Sequence, residues 1–319
     1  MWRYVLGRVW QVGVVLVLAS VAVFLLIRLL PGDPALVYAG PDASNSVIQS
    51  VRVQMGLNAP LVTQYLIWAH HALVGDLGRS FANDYPVIQL LEERLPATME
   101  LAVAALVLAL LVSLPLGILA AVKQASLVDY LVTGVSGLGL AVPTFWFGFV
   151  LILLFAIRLH WLPASGYAAV TADPSAFLGH LLLPASTLSL PVTCALTRFV
   201  KTAFADILDM DYVRTARAKG LSSPAILVRH ELRNALISVV TVVGLDAGRL
   251  LGGAVIIESV FAWPGVGRLL LLAILNRDYA VIQGGLLMFV TAFMLINLLT
   301  DVSYGLFDPR VRIGGAPTG

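Results

Sequence analysis

Six stretches of apolar residues, each close to the ~20 residues that cross a bilayer core, decide what this chain can fold into. Read in windows of about 19 residues, they are Val9–Leu30, Ala97–Val122, Leu131–Ile157, Leu181–Val200, Ala235–Ile257 and Val281–Leu299. Lipid offers no water to a backbone amide or carbonyl, so runs of this length are expected to be helices. Composition excludes the soluble alternative. The chain is 59% hydrophobic and 12% charged, where a soluble domain carries about 25% charged residues. So few charges cannot cover the surface of a 319-residue soluble fold. The expected fold class is therefore an all-α membrane protein with about six transmembrane helices. The first run is too long for a signal-peptide core and no small-x-small cleavage site follows it, so it reads as a retained anchor.

Charge placement gives the orientation. Arg3, Arg8, Lys123, Lys201, Arg214, Arg217, Lys219, Arg229, Arg233, Arg310 and Arg312 fall on the side of the N-terminus. Arg52, Arg79, Arg94, Arg158, Arg268 and Arg277 fall on the other, spread over more chain. The positive-inside rule then puts both termini in the cytoplasm. The net charge of +2 follows from this topology and does not call for a nucleic-acid partner.

The segment from Pro31 to Leu95 is the one sizeable region expected outside the bilayer. Pro31-Gly32-Asp33-Pro34 ends the first span, and Leu61–Leu73 has the apolar spacing of a helix lying on the membrane or a partner. Pro96 and Glu100 are expected to open the second span, where proline is tolerated and a carboxylate favours the positive helix end. Cys194, the sole cysteine, reads as a small packed hydrophobe. The chain has no phosphate loop, no Cys/His cluster at zinc spacing and no G-x-S-x-G, and the adjacent His70 and His71 point to different helix faces. No cofactor is expected on this chain, and nothing in it looks catalytic.

The stretch between the fourth and fifth runs is basic, which topology explains, and about thirty-five residues long, which topology does not. It reads Asp211-Tyr212-Val213-Arg214-Thr215-Ala216-Arg217-Ala218-Lys219-Gly220-Leu221 and continues through Arg229-His230-Glu231-Leu232-Arg233-Asn234-Ala235. Ala216 to Lys219 are strong helix formers, Gly220 suits a C-cap, and Ser222 or Ser223 can cap a following helix before Pro224. Short helices projecting from a membrane domain are a means of docking a soluble partner.

At these residues the sequence resembles the binding-protein-dependent ABC importers, and DYVRTARAKGL followed by LRNAL is similar to the permeases of their dipeptide/oligopeptide/nickel branch. Four further stretches in the family's order carry the likeness: Leu30-Pro31-Gly32-Asp33-Pro34, Gly75-Asp76-Leu77-Gly78-Arg79-Ser80, Glu258 to Gly267 with Arg277-Asp278-Tyr279, and Asp308-Pro309-Arg310. The long external segment resembles that of the B-type subunit. The chain departs from the broader pattern at Arg214 and Thr215, where Glu and Ala are usual, and at His230-Glu231-Leu232-Arg233. The resemblance implies a type I importer fold, with residues 1–95 as anchor and external segment, 96–305 as the permease domain and 306–319 as a cytoplasmic tail. It implies a second permease, ATPases that hold the ATP and dock on Asp211–Leu221, and an extracytoplasmic solute-binding protein. Dipeptides or oligopeptides are the implied cargo, with nickel or another small solute as the alternative.

The fifth run holds two further candidates. Gly244, Gly248 and Gly252 recur every four residues, as in close helix packing within a bundle or between subunits. Asp246 and Arg249 are three apart and can pair on one face, either as a neutralised structural pair or as part of a translocation path; Glu258 is a further candidate for that path, although it and Arg28 lie near span ends, within reach of the interface. An ion-coupled secondary transporter using Asp246 and Arg249 is the reading from a different class. It predicts inverted repeats with broken helices in corresponding halves, and none is evident in the sequence.

Overall fold

The computed structural model describes residues 2–29, 33–40, 43–54, 56–208 and 232–307. The expected docking stretch Asp211–Leu221, the motif Asp308–Arg310, the tail, and the Leu30–Gly32 part of the first motif lie outside the described residues. The first apolar run is α1 (Trp2–Leu29). The segment that follows forms α2 (Pro34–Ala39), α3 (Asn45–Gln54) and α4 (Leu61–Leu73). Then come α5 (Val87–Val122), α6 (Leu127–Ala141), α7 (Thr144–Leu151) with a π-helical continuation over Ile152–Arg158, and α8 (Pro174–Leu208). The last three are α9 (Leu232–Val260), α10 (Val266–Leu275) and α11 (Tyr279–Phe307). Among the described residues, four helices are long and apolar enough to cross a membrane, and five if the bent α6–α7 pair is one span. The fifth run lies in α9, which carries Asp246, Arg249 and Glu258.

Two helices differ from their sequence boundaries for physical reasons. The third run is not one straight helix: α6 and α7 meet at 105°. Pro143 removes a backbone donor and forces Val142 out of the helical region to φ −78, ψ 126. The second span does not open at Pro96, because α5 begins at Val87 and carries Pro96 in its interior. The added turns are anchored by Val87 and Leu91, both fully buried in a cluster with α10 and α11, while Glu92 and Glu93 stay exposed.

The centre of the fold is the pairing of α5 with α8, backed by α9 and α10. Along α5 the buried positions Ala97, Leu101, Ala105, Ala109, Ser113, Gly117 and Ala121 recur every four residues, which aligns them on one face. Six of the seven are small, so the backbones approach closely, as helices in lipid must do to gain packing contacts. A Cβ at Gly117 would stand 2.7 Å from Val200 Cβ and 2.8 Å from the Thr197 carbonyl. By contrast α1 is peripheral and rests on α11 and α4.

Candidate functional site

The end of the bundle from which residues 209–231 depart is braced by a polar cluster. Ser126 caps α6, accepting from the Asp129 amide, while Asp129 accepts from the Ala125 amide at 3.1 Å, the S-x-x-D pattern of a helix start. Lys201, near the end of α8, forms an ion pair with Asp129 and donates to Thr133 at 3.0 Å. Thr133 in turn donates to Asp129 at 3.2 Å. Asp129 is buried, so the lysine supplies the charge partner that a buried carboxylate requires. In the sequence, Lys201 informs only the orientation. The capping pattern at Ser126–Asp129 was the readable half of this cluster, and its partner 72 positions on was not.

On α9, Arg249 Nη1 lies 3.0 Å from Asp246 Oδ1, so the expected pair is formed. Its two halves differ: the Asp246 side chain is 4% exposed and that of Arg249 is 76% exposed. Asp246 Oδ2 is buried with no hydrogen-bond partner among the described residues. The glycines also divide. A Cβ at Gly244 would meet Thr300 at 2.0 Å and one at Gly248 would meet Phe293 at 2.6 Å, so these two admit α11. Gly252 faces open space and shares a stripe with exposed Leu245, Arg249 and Ile256.

Glu258 is not at the interface. It is fully buried, and the residues around it explain how a carboxylate is accommodated there. Thr98 Oγ1 donates to Glu258 Oε1 at 2.7 Å, and the Arg268 amide donates to Oε2 at 2.9 Å. Thr98 Oγ1 also accepts from the Val266 amide at 2.9 Å. The carboxylate and the hydroxyl thus take up first-turn amides of α10, where a helix presents unpaired donors and a positive end. Trp263 closes the cluster: its indole donates to the Ala97 carbonyl at 2.7 Å, and its own amide donates to the Glu258 carbonyl at 2.8 Å. The turn between α9 and α10 is tight. Ala262 sits at φ 53, and a Cβ at Gly265 would lie 2.2 Å from the Glu258 carboxylate. Tyr167, in the segment before α8, stacks edge-on against Trp263 with centroids 4.8 Å apart and donates to Glu100 at 3.1 Å. Burial, reinforced by the Glu100 carboxylate, pushes the Tyr167 phenol above its usual range.

The motifs Gly75–Ser80 and Arg277–Tyr279 meet. Ser80, in Gly75–Ser80, donates to Asp278 Oδ2 at 2.5 Å, and Asp278 also accepts from the Val281 amide at the start of α11. Asp278 is 3% exposed, so the pair joins α11 to the segment before α5 within the protein interior. His71 Nδ1 pairs with Asp76 at 3.0 Å.

Comparison with known proteins places this geometry. The profile described as "Binding-protein-dependent transport system inner membrane component" matches residues 113–313, and its N-terminal companion matches residues 1–102. The chain is 41% identical over 309 residues to a probable peptide ABC transporter permease of Sinorhizobium fredii, covering 97% of this chain and 99% of that one. It is 42% identical over 308 residues to a putative peptide transport system permease of Brucella abortus, covering 97% and 98%. It is 41% identical over 312 residues to the glutathione transport system permease of Escherichia coli K12, covering 98% and 99%. Among solved structures, an inward-facing form of the MetNI methionine ABC transporter superimposes with a TM-score of 0.58 at 17% identity, over 69% of this chain and 97% of that one. That likeness shows a shared type I importer transmembrane fold. The chain belongs to the family of binding-protein-dependent transport system inner membrane components.

Proposed function

We propose that this chain is the B-type permease subunit of an ATP-driven importer that carries short peptides across the cytoplasmic membrane. The observation that carries the reading is similarity at about 41–42% identity, over nearly the whole chain, to permeases named for peptide and glutathione transport. Both termini lie in the cytoplasm in this reading, and residues 96–305 form the permease domain. A second, similar permease encloses the path with this one, a solute-binding protein delivers cargo outside, and separate ATPase subunits bind and hydrolyse ATP.

The Asp211–Leu221 segment docks the ATPase. Arg214, Arg217 and Lys219 supply charge complementarity, while Tyr212, Ala216 and Leu221 supply packed contacts. Closure of the ATPases then tilts the permeases as rigid bodies between two states, which requires contacts that differ between those states. Arg249 faces the water-filled path, because a guanidinium held in mid-span at 76% exposure is not tolerated against acyl chains.

The test is reconstitution of the chain with its partners in liposomes. Uptake of a labelled dipeptide or tripeptide is expected to require ATP inside and binding protein outside. Uptake by the chain alone under an ion gradient would sink the proposal. The docking role is checked separately by co-purification of the ATPase with the Arg217→Glu, Lys219→Glu variant; equal recovery with the unaltered chain would refute it.

A further inference from the structure

A cleft of about 630 Å³ opens between the Leu29 end of α1, the exposed helix α4 and the first turn of α11. It is separate from the α9 path and from the Glu258 cluster. Its apolar walls come from Phe24, Ile27, Ile67, Trp68, Leu77 and Phe81. Its polar feature is Arg28. The guanidinium lies over the Phe24 ring at 3.5 Å and forks onto Gln64 Oε1 at 2.7 and 3.2 Å. Gln64 is itself fixed, donating to the Leu57 and Ala59 carbonyls at 3.1 and 2.8 Å. The fork is therefore preorganised.

The charges along the cleft are not equivalent. Asp33 is paired with Arg52, and Asp76 with His71. Among the described residues, Arg28 is bonded only to neutral acceptors: Gln64 and, at 3.4 Å, the Phe24 carbonyl. Beside it, Gln283 Nε2 and Tyr279 Oη are buried and find no acceptor among the described residues. A cation without a counter-charge and two unpaired donors call for an anionic, oxygen-rich ligand.

Depth identifies its source. Arg28 lies in the last turn of the α1 span, Val5–Leu29, which is the level of the membrane interface. Helix α4 has no buried residue and exposes Leu61, Val62, Leu66 and Ile67, yet Tyr65 Oη meets Ser20 Oγ of α1 at 2.9 Å. An apolar helix packed against the last third of α1 and carrying Tyr65 and Trp68 is placed as an interfacial helix whose open face meets lipid. We propose that this cleft holds the phosphodiester headgroup of a membrane phospholipid on Arg28, with an acyl chain along Ile67 and Trp68.

The full transporter in detergent tests this. Ile67→Cys places a thiol on the cleft, and the native Cys194 is buried. A short-chain phosphatidylglycerol is expected to slow alkylation at position 67, whereas inorganic phosphate and a detergent of equal chain length do not. Adding Arg28→Gln is expected to raise the lipid concentration needed by about tenfold, the scale of one charge-assisted hydrogen bond. Gln64→Glu keeps an acceptor for the fork, supplies the missing counter-charge, and is expected to abolish protection even if Arg28→Gln misfolds. Equal protection in all three backgrounds overturns the proposal. So does full protection by inorganic phosphate, which would make this an ion site, or protection by the external binding protein alone, which would make it a protein interface.

Discussion

Thr98 and Glu258, 160 residues apart in sequence, meet at 2.7 Å through a hydroxyl that donates to the carboxylate while accepting from the Val266 amide. One side chain thereby joins α5, α9 and α10. Thr98→Val keeps the shape and removes both bonds, leaving a buried carboxylate short of a donor and an amide short of an acceptor. An unmade buried bond costs about 1–3 kcal/mol, more when the group is charged. The expected outcome is a thermal transition of the purified protein that falls by several degrees. Thr98→Ser, which keeps the hydroxyl, is expected to fall less.

The α5–α8 seam predicts a steric result. A Cβ at Gly117 would lie 2.7 Å from Val200, so Gly117→Ala overpacks the contact, at roughly 1–3 kcal/mol. Val200→Ala in the same chain opens the space and is expected to recover part of the loss. A double-mutant cycle on thermal stability measures the coupling, and strict additivity would refute direct contact.

The Asp246–Arg249 pair predicts an asymmetry. Removing the exposed cation leaves a buried carboxylate without a partner, a change on the order of 3–5 kcal/mol when fully desolvated. Removing the acid leaves a guanidinium that water can reach. Arg249→Gln is thus expected to destabilise the protein more than Asp246→Asn does. The reverse order in denaturation midpoints would contradict the burial that separates the two residues.

A pH effect is expected in the segment between α4 and α5. The His71 hydrogen bond, then the Gly78 amide, hold the Asp76 carboxyl below the usual carboxylate range. A depressed acid contributes stability above its unfolded value, and that contribution fades as pH falls through the lower folded value. The loop is therefore expected to hold near neutrality and loosen only in strong acid. Both side chains are more than half exposed, so the effect is small, below about 1 kcal/mol after solvent screening. Hydrogen exchange at the Gly78 amide against pH measures it, and Asp76→Asn is expected to flatten the curve.

Much of this architecture was legible in the sequence because lipid leaves few choices. Run length gave the spans, and α4 runs over the Leu61–Leu73 that its apolar spacing marked. Pro143 announced the break in the third run, but a hydropathy window averages across a single residue. The early start of α5 was hidden by Glu92, Glu93 and Arg94, which read as loop while Val87 and Leu91 carry the packing. The small-residue seam on α5 was obscured for another reason: in a uniformly apolar run, spacing by four stands out only when the neighbouring helix is known. Glu258 was misplaced because its partners, Thr98 and the α10 amides, are brought to it by tertiary folding alone. The family motifs mark Asp211–Leu221 as the expected docking stretch, which lies outside the described residues.

The cluster around Trp263 and Glu258 makes a pivot of one end of α5. With Thr98 fastened to α9 and α10, the helix cannot slide along its neighbours without breaking several buried bonds, so it turns with them when the bundle tilts. From Thr98 to Val122 the lever is about 36 Å long at 1.5 Å per residue, so a swing of about 10° carries the far end about 6 Å. That end is the one where Lys201 and Asp129 brace the departure of residues 209–231. A small rotation at the pivot and a stroke of several ångströms at the brace are then the same movement.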